Sequence, residues 1–231
     1  IQFHKKLDKG KLILSNCIKK LINENGNEFL SVKSRIFTTF GNHYINDKKS
    51  KDYINQSIDI KKQLSDKPGL ARSYGSLARL LFSQEPTSLK TLDANKKWLM
   101  INKENNDIFG SIMSRNFLAK IYFNIHKNNP DKNDNLKKCK QQYNENIKLL
   151  TNTVDQGSQI QIFTSFADLM EIAKFEKDEK TFLELSSKLF KLIKNFEKIE
   201  NKFFIDIFKR AFSSKFQNAI YTKQNIKEIL N

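Results

Sequence analysis

Glycine and proline are scarce in this chain, at seven and three residues of 231. So few turn formers argue against a hairpin-rich sandwich or barrel, a collagen-like repeat and a Pro/Gly linker, and they leave a mostly helical chain. Cysteine is nearly absent: Cys17 and Cys139 stand alone with no CxxC pair. A disulfide framework is therefore not implied, and a cytoplasmic setting with reduced thiols is expected. No uncharged apolar run approaches the roughly 18 residues of a spanning helix, and no signal-peptide pattern opens the chain. The first residue is Ile1, not Met, so a processed product or a piece of a longer protein is expected.

What is abundant is lysine, phenylalanine and asparagine. Hydrophobic content of 39% with 19 Phe argues against disorder, despite 29% charged residues and a formal net charge of +16. Of the 41 basic residues only five are Arg, a bias that an A/T-rich coding sequence would produce on its own. The charge is uneven: residues 1–60 carry 11 basic and 6 acidic groups, 61–150 carry 17 and 8, and 151–231 carry 13 and 11. The first 150 residues thus hold +14 of the +16. Such a field favours an anionic partner, whether an acidic protein, nucleic acid or membrane surface.

The chain repeats itself. Residues 60–78 (IKKQLSDKPGLARSYGSLA) align without gaps on 101–119 (INKENNDIFGSIMSRNFLA), and seven of these 19 positions are identical. Among them are Asp66/Asp107, Gly69/Gly110, Ser73/Ser114 and Ala78/Ala119. A related segment lies upstream around Gly41, 37 residues before Ala78, and a fainter one around Ala167, 48 residues after Ala119. Periods of this size indicate helix pairs stacked into a solenoid. The first half of a unit, as in Leu70, Tyr74, Leu77, Leu81 and Phe82, carries a helical apolar stripe. Gly41, Ala78, Ala119 and Ala167 sit inside that stripe, where two helices approach closely. Asp66 with Pro68-Gly69, and Asp107 with Gly110, supply the stop and restart between units. The second half, 89–101, is again periodic.

The signature of a large apolar residue, a small one, then an aromatic three further on appears at Phe40-Gly41-x-x-Tyr44 and Leu118-Ala119-x-x-Tyr122, with Leu77-Ala78-x-x-Leu81 looser. Here the chain resembles the tetratricopeptide repeat family, in the longer variety of kinesin light chains and bacterial signalling arrays. The resemblance spans roughly residues 30–150. It departs from the family where the usual small residues of the second helix give way around Ser57 and Trp98. It implies an all-α, right-handed superhelix of antiparallel helix pairs and a concave groove that receives a peptide. One helical-repeat domain is expected over 1–231, with a partial repeat at 1–30, central repeats at 31–150, and degenerate repeats with a C-terminal cap at 151–231. Residues 7–23 would be the second helix of a preceding unit, 124–136 an exposed loop, 181–196 a helix, and 203–216 with 220–230 a final pair.

Signals for chemistry are lacking. His4, His43 and His126 have no ligand-spaced partners, so no metal site is expected. There is no GxxxxGK[ST] loop, nucleophile elbow or Cys-His signature, and neither a catalytic residue nor a cofactor is expected. Acidic pairs such as Glu197/Glu200 sit among lysines as a solvated face.

Arginine is the informative residue, because lysine is the compositional default. Arg35 and Arg72 occupy the same repeat position, six residues before Gly41 and Ala78. One residue after the small position come Asn42, Arg79 and Lys120. The resemblance implies that these two positions line the groove, and it adds Asn116 to the candidates for gripping a carboxylate. A guanidinium fork suits a carboxylate; the alternative is that these arginines form salt bridges between neighbouring helices. The reading is a non-catalytic protein-interaction module that takes an acidic peptide or protein segment at Arg35, Asn42, Arg72, Arg79, Asn116 and Lys120. Two other readings are a basic nucleic-acid-binding array and a regulatory or sensor segment of a larger signalling protein.

Overall fold

The structure, a computed structural model, describes residues 2–130, 134–149 and 155–194. The final helix pair expected at 203–216 and 220–230, and Phe196, lie outside the described residues. Among these residues every regular element is an α-helix: α1 (Gln2–Leu21), α2 (Asn27–His43), α3 (Ser50–Gln63), α4 (Lys67–Gln84), α5 (Leu89–Glu104), α6 (Ile108–Asn128), α7 (Asp134–Lys148), α8 (Gln156–Phe175) and α9 (Glu179–Lys194). The expectation of one domain over 1–231 meets a chain that divides by its packing into two compact units, 1–135 and 136–231. Each is described by itself.

In the first unit each helix packs on the next, and α2 also touches α4, so the first helices of successive pairs stand side by side. This sequential packing is that of an all-α helical-repeat fold. The small positions work as the stripe implies. Ala78 and Ala119 are fully buried, and a Cβ on Gly41 would collide with the Ile54 side chain of α3. Apolar clusters run between successive helices: Ile18 of α1 with Phe37 and Phe40 of α2, Ile54 and Ile58 of α3 with Leu80 of α4, and Ala71 of α4 with Trp98 and Ile101 of α5. Phe82 packs on Phe117 with ring centroids 5.0 Å apart, so it belongs to the core between pairs and not to an open surface.

The turns between pairs are built alike. Ser65 and Asn106, 41 residues apart, both hold φ of 54°. The amide of Ser65 bonds the Lys62 carbonyl and that of Asp66 the Lys61 carbonyl; Asn106 and Asp107 repeat this on Lys103 and Asn102. These are Schellman closures with a non-glycine left-handed residue. The restart is immediate. The Asp66 carboxylate accepts from the Gly69 amide at 2.9 Å and Asp107 from Gly110 at 2.8 Å, an N-cap worth about 1 kcal/mol. A Cβ on either glycine would strike the capping carboxylate, which accounts for both glycines. The left-handed stop residues are therefore Ser65 and Asn106; Asp66 and Asp107 close the turn through their amides and, with Gly69 and Gly110, make the restart through their carboxylates.

The loop expected at 124–136 is shorter than its polar composition suggests. Helix α6 runs on to Asn128, with His126 buried in its last turn, and α7 starts at Asp134.

The described part of the second unit pairs α8 with α9. Ala167, Met170 and Ile162 are buried on α8. The turn from α8 to α9 is the same Schellman closure, with Lys177 at φ 59°. Helix α7 meets α8 through polar groups: the Tyr143 hydroxyl donates to Asp168 at 3.0 Å and the Asn146 amide to Ser165 at 3.3 Å.

Candidate functional site

Helices α2 and α4 carry four of the six candidate residues, and the 37-residue register brings them into one row. Arg79 donates to the side-chain carbonyl of Asn42 at 3.3 Å, joining the positions that follow Gly41 and Ala78. The same guanidinium lies 5.6 Å from the centroid of Trp98, which rises from α5. Arg35 and Arg72 each lie about two turns nearer the helix N-terminus than Asn42 and Arg79, and both are exposed. Neither has an ion-pair partner among the described residues. The alternative of interhelical salt bridges is therefore not what the geometry displays for these two. On α6, Lys120 is half-buried and Asn116 is only 5% exposed, so Asn116 lies within the helix stack.

Behind Arg35 and Arg72 lies a residue that the sequence did not single out. Lys61, on the last turn of α3, is 3% exposed. Its Nζ donates to Thr38 Oγ1 at 2.9 Å and to Ser73 Oγ at 2.7 Å. Ser57 completes a triangle of hydroxyls, 2.8 Å from Thr38 and 3.1 Å from Ser73. The Ser57 hydroxyl in turn donates to the Ser34 carbonyl at 2.7 Å. Three helices thus meet in a buried polar seam.

The ammonium is held by hydroxyl dipoles alone, since no carboxylate bonds it among the described residues. Desolvation pushes the Lys61 pKa down to about 8; Asp66 offsets this in part, and Arg72 and Arg35 add to it by repulsion. The only signal that could have found the seam is Ser57, visible in the sequence as a departure from the repeat pattern.

Cys139 is buried, and desolvation, with the charge of Asp168 adding to it, pushes its thiol up to about 12. Desolvation, then the adjacent Asp168 charge, raises Tyr143 well above the usual phenol range. Among the described residues no three His, Cys, Asp or Glu side chains come together as a metal site, and no helix is long and apolar enough to cross a membrane. What the α2–α4 face offers chemically is a set of cationic hydrogen-bond donors around an indole.

The fold has a solved counterpart. The chain is similar to the crystal structure of BtubC (BKLC) from P. vanneervenii, with a TM-score of 0.66 over 97% of this chain and 91% of that one, at 13% sequence identity. At that identity the likeness defines the class alone, a helical-repeat protein. No family model matches the sequence, and no curated protein matches it.

Proposed function

We propose that the chain is a tetratricopeptide-type, non-catalytic interaction module that holds an acidic peptide or protein segment along the face of α2, α4 and α6. The observation that carries this reading is the row itself. Arg35 and Arg72 recur at one register position with no ion pair among the described residues, and Asn42 and Arg79 meet at the next. Exposed guanidiniums that no carboxylate of the described residues engages are available to a carboxylate from outside, in the bidentate mode that distinguishes Arg from Lys. Lys120 continues the row on α6, while Asn116 supports it from within.

The test is capture of a hexaglutamate peptide by the full chain, measured by calorimetry at low salt. Arg72→Glu combined with Arg79→Glu is expected to abolish binding with the circular dichroism spectrum unchanged. Undiminished binding by a folded double variant would remove the assignment. The +14 carried by the first 150 residues favours a second reading, a nucleic-acid-binding array. In that case single-stranded oligonucleotide would be retained on filters with a steep loss of affinity between two salt concentrations.

A further inference from the structure

Lys61 poses a question that packing does not answer. A buried cation is ordinarily paired, because its desolvation is repaid only by a counter-charge with good geometry. Here the ammonium meets hydroxyls of Thr38 and Ser73 and is flanked by two more cations, Arg35 on α2 and Arg72 on α4. Among the described residues the single carboxylate that acts on it is Asp66, already engaged in capping α4. Among the same residues, the seam where α2, α3 and α4 meet therefore carries three positive charges against one negative charge. The repeat does not require this: 41 residues on, Asn102 occupies the position of Lys61.

We propose that Arg35, Lys61 and Arg72 form an anion subsite that takes one side-chain carboxylate of an acidic segment, the two exposed guanidiniums gripping it and the buried ammonium supplying charge from below. This rests on the reading of the chain as an acidic-segment binder and names the place where one acidic side chain is read. The ammonium acts through the field it adds to the two arginines and positions no atom of the ligand itself. Its missing counter-charge arrives with the ligand.

Proton linkage follows. In the free protein Lys61 titrates near pH 8, whereas a carboxylate bound above it favours the charged form. Binding then draws a proton onto Lys61. The charged groups that face it are Arg35, Arg72 and Asp66, and the linkage is assigned to Lys61.

The experiment is calorimetric titration of the full chain with hexaglutamate at pH 8, in two buffers of different ionisation enthalpy. About half a proton is expected to be taken up per peptide, and the affinity is expected to fall about tenfold from pH 7 to pH 9. Lys61→Gln, which keeps hydrogen-bonding capacity toward Thr38 and Ser73, is expected to bind with no uptake and a flat pH profile; Lys61→Met is a second variant of the same kind. Binding by the wild type without uptake, or uptake that persists in either folded variant, overturns the subsite and leaves the interaction module standing. No binding of the peptide at all overturns both. The wild-type uptake decides the matter even where a variant fails to fold.

Discussion

The seam between α2, α3 and α4 and the seam between α4, α5 and α6 occupy the same places in successive repeats, yet they are filled by opposite chemistry. In the first, Ser57 of the second helix meets Thr38 of the first helix through a 2.8 Å hydrogen bond, with Lys61 one turn on. In the second, the position of Ser57 is Trp98 and that of Lys61 is Asn102. The position of Thr38, 37 residues on, is Gly75. The exchange is complementary. A Cβ on Gly75 would stand 2.8 Å from the indole, so the indole occupies the room that a hydroxyl pair occupies one repeat earlier. One backbone frame therefore supports an apolar wedge or a charged polar ring, and what a seam does is decided by three or four side chains. The apolar seam contributes stability; the polar seam gives some of it up around a cation, as functional sites often do.

The comparison breaks most visibly at Trp98. With 7% exposure, its replacement by Ala is expected to cost about 3–5 kcal/mol in urea denaturation. Ser57→Ala in the polar seam is expected to cost less, about 1–2 kcal/mol, because its partners Thr38, Ser73 and the Ser34 carbonyl keep other hydrogen bonds. Trp98→Ser and Gly75→Thr together would rebuild the first seam in the second. Each alone destabilises, the first by a cavity and the second by a clash, and the pair is expected to show a favourable coupling of at least about 1 kcal/mol. Additive losses would mean that the two seams are not interchangeable.

A smaller effect separates the seams by pH. The Lys61 pKa is lowered in the folded chain from the usual 10.5 to about 8, chiefly by desolvation. Unfolded chains therefore bind a proton that the folded chain has lost between those values, and stability rises with pH across the window. The cost is fully present below pH 8 and is relieved toward pH 10.5. Wild type is expected to gain about 2 kcal/mol from pH 8 to pH 10 relative to Lys61→Met, read from paired urea melts. Parallel curves would mean that the ammonium is not desolvated. Asn102 in the other seam has no such dependence, and Asn102→Leu is expected to leave the pH profile unchanged.

The parts of this molecule visible in the sequence are those set by local chemistry. Asp66 and Asp107, Gly69 and Gly110, and the small residues Gly41, Ala78 and Ala119 carry the repeat because caps and close crossings need particular residue types at fixed spacing. The seams were visible only as an irregularity, since Ser57 and Trp98 depart from the repeat without revealing what fills the space. Lys61 was invisible, one lysine in a lysine-rich chain; its burial arises when Ser34, Thr38, Ser57 and Ser73 come together from three helices. The length of α6 was missed for a related reason. The polar composition of 124–136 reads as loop, while His126 lies buried in the last turn of the helix. The arginine row was legible as a register, but the absence of an ion pair to Arg35 or Arg72 among the described residues needed coordinates.

The smallest expected effect concerns what the two repeats share most closely, the closing turn. Ser65 and Asn106 hold the same left-handed φ and make the same backbone bonds, yet they differ in how well they tolerate that conformation. Asn enters the left-handed region readily because its short amide bonds locally, whereas a Ser there carries more of the cost of about 1 kcal/mol for an L-residue. Ser65→Gly is therefore expected to stabilise the chain by up to about 1 kcal/mol and Asn106→Gly by a few tenths at most, in thermal melts of the two variants. The order carries the meaning. A larger gain at Asn106 would show that the two turns differ in more than the residue at the left-handed position. The seams beside them could then not be compared as fillings of one frame.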